Sequence, residues 1–127
     1  MVGMDTFSEF YIPGILFLCT LLFGFWLSHA GKPYNGVLFN AHKLIALGAV
    51  VMTILQLMDV QAVARAPVHI IALLITAAGC IVALFTSGAL MSMNKLDYAS
   101  TLSIHRIMPV VLAVVILLAI QWLVTQG

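Results

Sequence analysis

Apolar residues run almost unbroken through four stretches of the chain, at roughly 11–29, 38–58, 67–90 and 101–125, and polar residues gather between them. A helix needs about 20 apolar residues to cross a bilayer core, so each stretch is predicted to be a membrane-spanning helix. The breaks are short. Ala30–Val37 carries Gly31, Pro33, Asn35 and Gly36, which is turn chemistry; residues 59–66 and 91–100 form the other two. Pro13 and Pro67 fall near the first turns of the first and third stretches, where a missing N–H costs little. Loops this short join antiparallel neighbours. The chain is therefore read as one four-span domain, 1–127: an all-α, integral membrane, up-down-up-down four-helix bundle. Asn40 stands two residues before His42, and Ser100, Thr101 and Ser103 precede His105. All are helix-capping residue types, which puts each histidine about one turn inside its helix.

Composition agrees with this pattern and removes several functions. Of the 127 residues 64% are hydrophobic and 7% charged, against roughly 25% charged in a soluble domain. The net charge of +1 carries no information about nucleic acid, and no basic run exists that could track phosphates. Cys19 and Cys80 lie inside apolar stretches and form no CxxC or CxxCH, so they read as packing residues rather than redox thiols. Asp5 and Glu9 stand where a signal peptide would carry basic residues, so no cleaved signal is expected. The spans hold no Asp or Glu that could couple ion movement, which counts against a proton-coupled transporter.

Charge also orients the chain. The first and third loops and the helix starts beside them carry Lys32, Lys43, Lys95 and Arg106 against Asp97; the other side carries Arg65 with Asp5, Glu9 and Asp59. Cations in short loops favour the cytoplasm. Both termini are accordingly expected outside, with His42 and His105 near the cytoplasmic face. A shift of 63 residues lays Lys32 on Lys95, His42 on His105, Lys43 on Arg106 and Val51 on Val114. That register is read as an internal duplication of a helical hairpin.

The two histidines are the candidate chemistry, because an ionisable group in a span is costly and marks function by default. Beyond His42 its face continues through Ala46, Ala49 and Thr53; beyond His105 it continues through Pro109, Leu112 and Ile116. Gly24, Ser28, Ala83 and Ser87 thin the other two spans at that depth, as if leaving room for a flat macrocycle. Two neutral imidazoles can ligate a haem iron through Nε2, and Lys43 and Arg106 stand beside them as partners for its propionates. The competing view is that each His-cation pair only anchors a helix among headgroups. His29 and His69 read as interfacial, although His29 could line a quinone site. Trp26, Tyr34, Tyr98, Trp122 and Tyr11 read as interfacial aromatics, and Gly24, Gly48, Gly79 and Gly88 as helix-packing positions.

FNAHKL around His42 and IHRIMP around His105, on two non-adjacent spans, resemble the membrane b-type cytochromes, in particular the cytochrome b561-like four-helix haem bundles. The resemblance implies electron transfer by haem b, in exchange with a quinone or a partner subunit. Members of that group often bind two haems with four ligands. Here the opposite face offers only His69, so one haem, held by His42 and His105, is expected. With no flavin or nicotinamide motif and no nucleophile constellation, the chain reads as an electron carrier or oxidoreductase subunit, alone or as a homo-oligomer, rather than a complete enzyme. The alternative is a structural or assembly subunit of a larger membrane complex.

Overall fold

A computed structural model describes residues 8–59 and 61–126, with the side chains of Asp59, Gln61, Ala62 and Gln126 outside the description. Asp5 and the Asp59 side chain, both counted above for orientation, thus lie outside the described residues. The described chain is helical and contains no strand. Four long helices follow one another: α1 (Tyr11–Ala30), α2 (Gly36–Asp59), α3 (Val68–Met93) and α4 (Tyr98–Gln126), with a single turn at Gln61–Ala64 between α2 and α3. They have 20, 24, 26 and 29 residues. At about 1.5 Å per residue each reaches roughly 30 Å or more, the thickness of the hydrocarbon core. All four are long and apolar enough to cross a membrane.

The helix starts differ from the sequence reading in a consistent way. Asn35, not Asn40, caps α2: its Oδ1 accepts the N–H groups of Val37 at 3.0 Å and Leu38 at 3.2 Å. Asp97, not Ser100, Thr101 or Ser103, caps α4: its Oδ2 accepts the Ser100 N–H at 3.0 Å and the Ser100 hydroxyl at 2.8 Å. Asn40 is already helical, and the hydroxyls of Thr101 and Ser103 turn back onto the carbonyls of Asp97 and Ala99. Earlier starts lengthen both helices and sink the histidines. His42 lies seven residues past its cap and His105 eight, which is about 10 and 12 Å along the axis, two turns inside rather than one. The other ends are closed by left-handed residues, Gly31 at φ 70° after α1 and Asn94 at φ 53° after α3. Gly31 has no Cβ to oppose that conformation, and asparagine tolerates it.

The chain divides at Ala64–Arg65 into two compact units, the α1–α2 pair and the α3–α4 pair. Within the second pair, Ile70, Ala77, Cys80, Ser87 and Met91 of α3 are buried, as are Thr101, Leu112, Val115, Ala119 and Leu123 of α4. With His105 included, those positions step by threes, fours and sevens, the spacing of a helix–helix seam. His105 falls in register on it, half-buried. In the first pair the seam passes through Pro13 and Leu27 of α1 and through Leu38 and Ala49 of α2, with half-buried His42 one turn beyond Leu38. Gly24 meets His42 and Gly48 meets Leu16, so α1 and α2 run in opposite senses.

The faces drawn from sequence therefore shift. Past His105 the buried line is Leu112, Val115, Ala119, while Pro109 and Ile116 are half-buried; past His42 only Ala49 is buried, with Ala46 and Thr53 at the edge. Both lines step by threes and fours; on α4 they part after Leu112, where the seam takes a three-residue step to Val115 rather than a four-residue step to Ile116. Pro109 cannot donate to the His105 carbonyl, yet α4 continues through it. Large apolar residues off the seams are widely exposed, among them Leu22 (68%), Leu44 (68%), Ile75 (67%) and Leu117 (65%). That surface suits lipid and would be a liability in water. Polar groups inside the spans are satisfied locally, as lipid requires: Thr20, Thr53 and Thr76 donate to carbonyls four residues earlier. No buried side-chain N or O among the described residues lacks a hydrogen-bond partner.

Candidate functional site

Each histidine is fixed inside its own hairpin, and the two fixings are alike. The His42 ring lies on Gly24 of α1, so closely that a Cβ on Gly24 would sit 2.9 Å from Cε1. Its Nδ1 is 3.0 Å from the backbone carbonyl oxygen of Thr20. A carbonyl only accepts, so Nδ1 carries the proton and the neutral ring keeps its lone pair on Nε2. The His105 ring lies against Gly88 of α3, where a Cβ would come 3.3 Å from Cε1. Its Nδ1 is 2.8 Å from Ser87 Oγ, and that hydroxyl also reaches the Leu84 carbonyl at 3.1 Å.

These contacts reassign the small residues. Gly24 and Ser87, read from sequence as clearance for a macrocycle, receive the imidazoles themselves. Gly88, read as a helix-packing glycine, performs the same service for His105. Thr20 was not singled out by sequence, and could not have been: its contribution is a backbone carbonyl, which every residue carries. Ser28 and Ala83 are half-buried and meet neither ring in these contacts.

Each ring is set within its own hairpin in a way that can be compared with a metal-ligating histidine. A ligating histidine normally donates its second ring N–H to a carbonyl or another acceptor, which fixes the tautomer and raises the basicity of the ligating nitrogen. His42 places Nδ1 on a carbonyl in this manner, and His105 places Nδ1 on a hydroxyl, which can accept or donate. Among the described residues no three His, Cys, Asp or Glu side chains gather as they would to hold a metal ion by themselves.

The neighbouring cations have separate surroundings. Lys43 Nζ reaches back one turn to lie 4.2 Å from the centroid of the Phe39 ring. Phe39 stacks on Tyr34 at 5.6 Å, and Lys32 Nζ lies 5.8 Å from the Tyr34 centroid. The α1–α2 loop and the first two turns of α2 thus bring two cations and two aromatics together, the mixture that anchors a helix end at a membrane interface. Arg106 and Lys95 are exposed in the second hairpin. His29 is exposed and rests on Phe25, ring centroids 4.3 Å apart; His69 is exposed at the start of α3. Cys19 and Cys80 are free thiols, the latter buried in the α3–α4 seam.

Compared with known proteins, the chain matches no family model, no curated sequence and no solved structure.

Proposed function

We propose that this chain is a membrane electron-transfer protein that binds one haem b, which His42 and His105 would hold, in an up-down-up-down bundle of four spans built from a duplicated hairpin. The observation that carries the reading is the matched pair of Nδ1 contacts, His42 on the Thr20 carbonyl and His105 on Ser87 Oγ. In each hairpin the ring is held at the same nitrogen beside a glycine, the setting in which a ligating histidine presents Nε2 to a metal. The bound haem would supply one-electron chemistry. The protein's share is to orient the imidazoles, exclude water with apolar helix faces, and balance the propionates with Lys43 and Arg106. By the cation count those groups face the cytoplasm and both termini lie outside. Exchange with a quinone or a redox subunit follows from the absence of any second cofactor motif. The short FNAHKL and IHRIMP resemblance to cytochrome b561-like bundles points the same way.

A structural or assembly subunit is the second reading, and one observation favours it: each ring is already packed and hydrogen-bonded within its own hairpin, which is what a helix-locking residue does. Haem content separates the two. Protein purified from membranes should carry about one haem per chain, lost in both His42→Ala and His105→Ala. A colourless protein supports the structural role; haem retained in both variants refutes the ligand assignment.

A further inference from the structure

We infer that Ser87 is a positioning residue that sets the tautomer of His105, and through it the electron-donating strength of Nε2; the second half of this inference rests on the haem reading above. Ser87 is 5% exposed, so no solvent competes for its hydroxyl. It has one proton and two neighbours, the Leu84 carbonyl at 3.1 Å and His105 Nδ1 at 2.8 Å. If the hydroxyl donates to Leu84, its oxygen accepts a proton from Nδ1, and the group makes two hydrogen bonds. If it donates to Nδ1 instead, the Leu84 contact is lost and only one remains. In a low-dielectric span the arrangement with two bonds wins, since each bond forgone there is costly. Nδ1–H is therefore the bound form, and the lone pair falls on Nε2.

The first hairpin reaches the same state by another route. His42 faces the Thr20 carbonyl, a pure acceptor, so no side-chain substitution at residue 20 deletes that hydrogen bond. Only the His105 side is adjustable by a side chain. The space is prepared as well: Gly88, next to Ser87, leaves the imidazole edge room that a Cβ would crowd at 3.3 Å. Ser87 and Gly88 act together, one supplying the acceptor and the other the clearance. A hydrogen bond from Nδ1–H gives the ring partial imidazolate character, which stabilises an oxidised metal more than a reduced one.

The test uses 15N-histidine-labelled full-length protein in lipid nanodiscs, without haem and then loaded with it. In the haem-free protein near neutral pH, His105 should show a protonated Nδ1 and an unprotonated Nε2. Ser87→Ala should convert that ring to a mixture of tautomers, and Ser87→Thr, which keeps a hydroxyl, should restore it; His42 should be unchanged in both. A wild-type His105 protonated on Nε2, or a Ser87→Ala ring with an unchanged tautomer, would overturn the inference. In the loaded protein Ser87→Ala should move the midpoint potential upward, with Ser87→Thr near wild type. An unmoved potential overturns the tuning role. If the wild type takes up no haem, the haem reading and the tuning role both fail, while the nitrogen signals still decide the positioning role.

Discussion

At the scale of single residues, the close approach of His42 to Gly24 makes a prediction that runs against helix propensity. Alanine is worth up to about 1 kcal/mol over glycine inside a helix, yet a Cβ at 2.9 Å from the ring must displace it. Gly24→Ala should destabilise the protein, by about 1–3 kcal/mol as overpacking commonly does, and weaken the contact with the Thr20 carbonyl. Gly88→Ala, with its contact at 3.3 Å, should be milder. Thermal unfolding of both variants in detergent checks the order. A double-mutant cycle checks the cause, because Gly24→Ala should become neutral or stabilising once His42→Ala has removed the ring. The histidines were legible in the sequence because polar rings stand out in apolar spans. Their settings were not. Glycine can mean close packing, clearance for a ligand or clearance for a side chain, and only the packed partner decides among these.

At the scale of elements, two caps define where α2 and α4 begin, and they differ chemically. Asn35 does not titrate, whereas Asp97 does, and the N–H and hydroxyl of Ser100 hold its carboxyl below the usual range. A carboxyl depressed in the folded state adds stability that is present above its unfolded pKa and lost as pH falls through the folded one. Acidification should accordingly speed amide hydrogen exchange at Ser100, while exchange at Val37 and Leu38, corrected for intrinsic rate, stays level. Asn35→Ala should cost about 1 kcal/mol, and Asn35→Asp should be tolerated and confer the pH response on α2. The four helices could be read from apolar run length, since a bilayer fixes the length needed. The starts could not. Polar residues inside the first turns, such as Asn40 and Ser100, resemble caps as closely as the true caps do, and only the backbone N–H groups they meet distinguish them.

At the scale of the whole molecule, four apolar helices of sufficient length make this a chain for the bilayer, and its cations are the basis of the direction proposed for it. Placing Lys32, Lys43, Lys95 and Arg106 on the cytoplasmic side predicts that Lys95→Cys reacts with an impermeant thiol reagent in inverted vesicles and not in sealed cells. The opposite result would reverse the orientation and place the histidine ends outside. Buried Cys80 and half-buried Cys19 should contribute little background. The 63-residue register pairs Gly24 with Ser87 and Thr20 with Ala83, whereas the rings meet Gly24 and the Thr20 carbonyl in one hairpin and Gly88 and Ser87 in the other. It did not foresee that the oxygen is a backbone carbonyl in one hairpin and a hydroxyl in the other. The central claim is that two such imidazoles serve one haem iron. Its most direct test is the reduced-minus-oxidised visible spectrum of protein purified from membranes. A Soret shift with a sharp α-band, abolished by either His42→Ala or His105→Ala, is the predicted result; a featureless difference spectrum from haem-replete cells would contradict it.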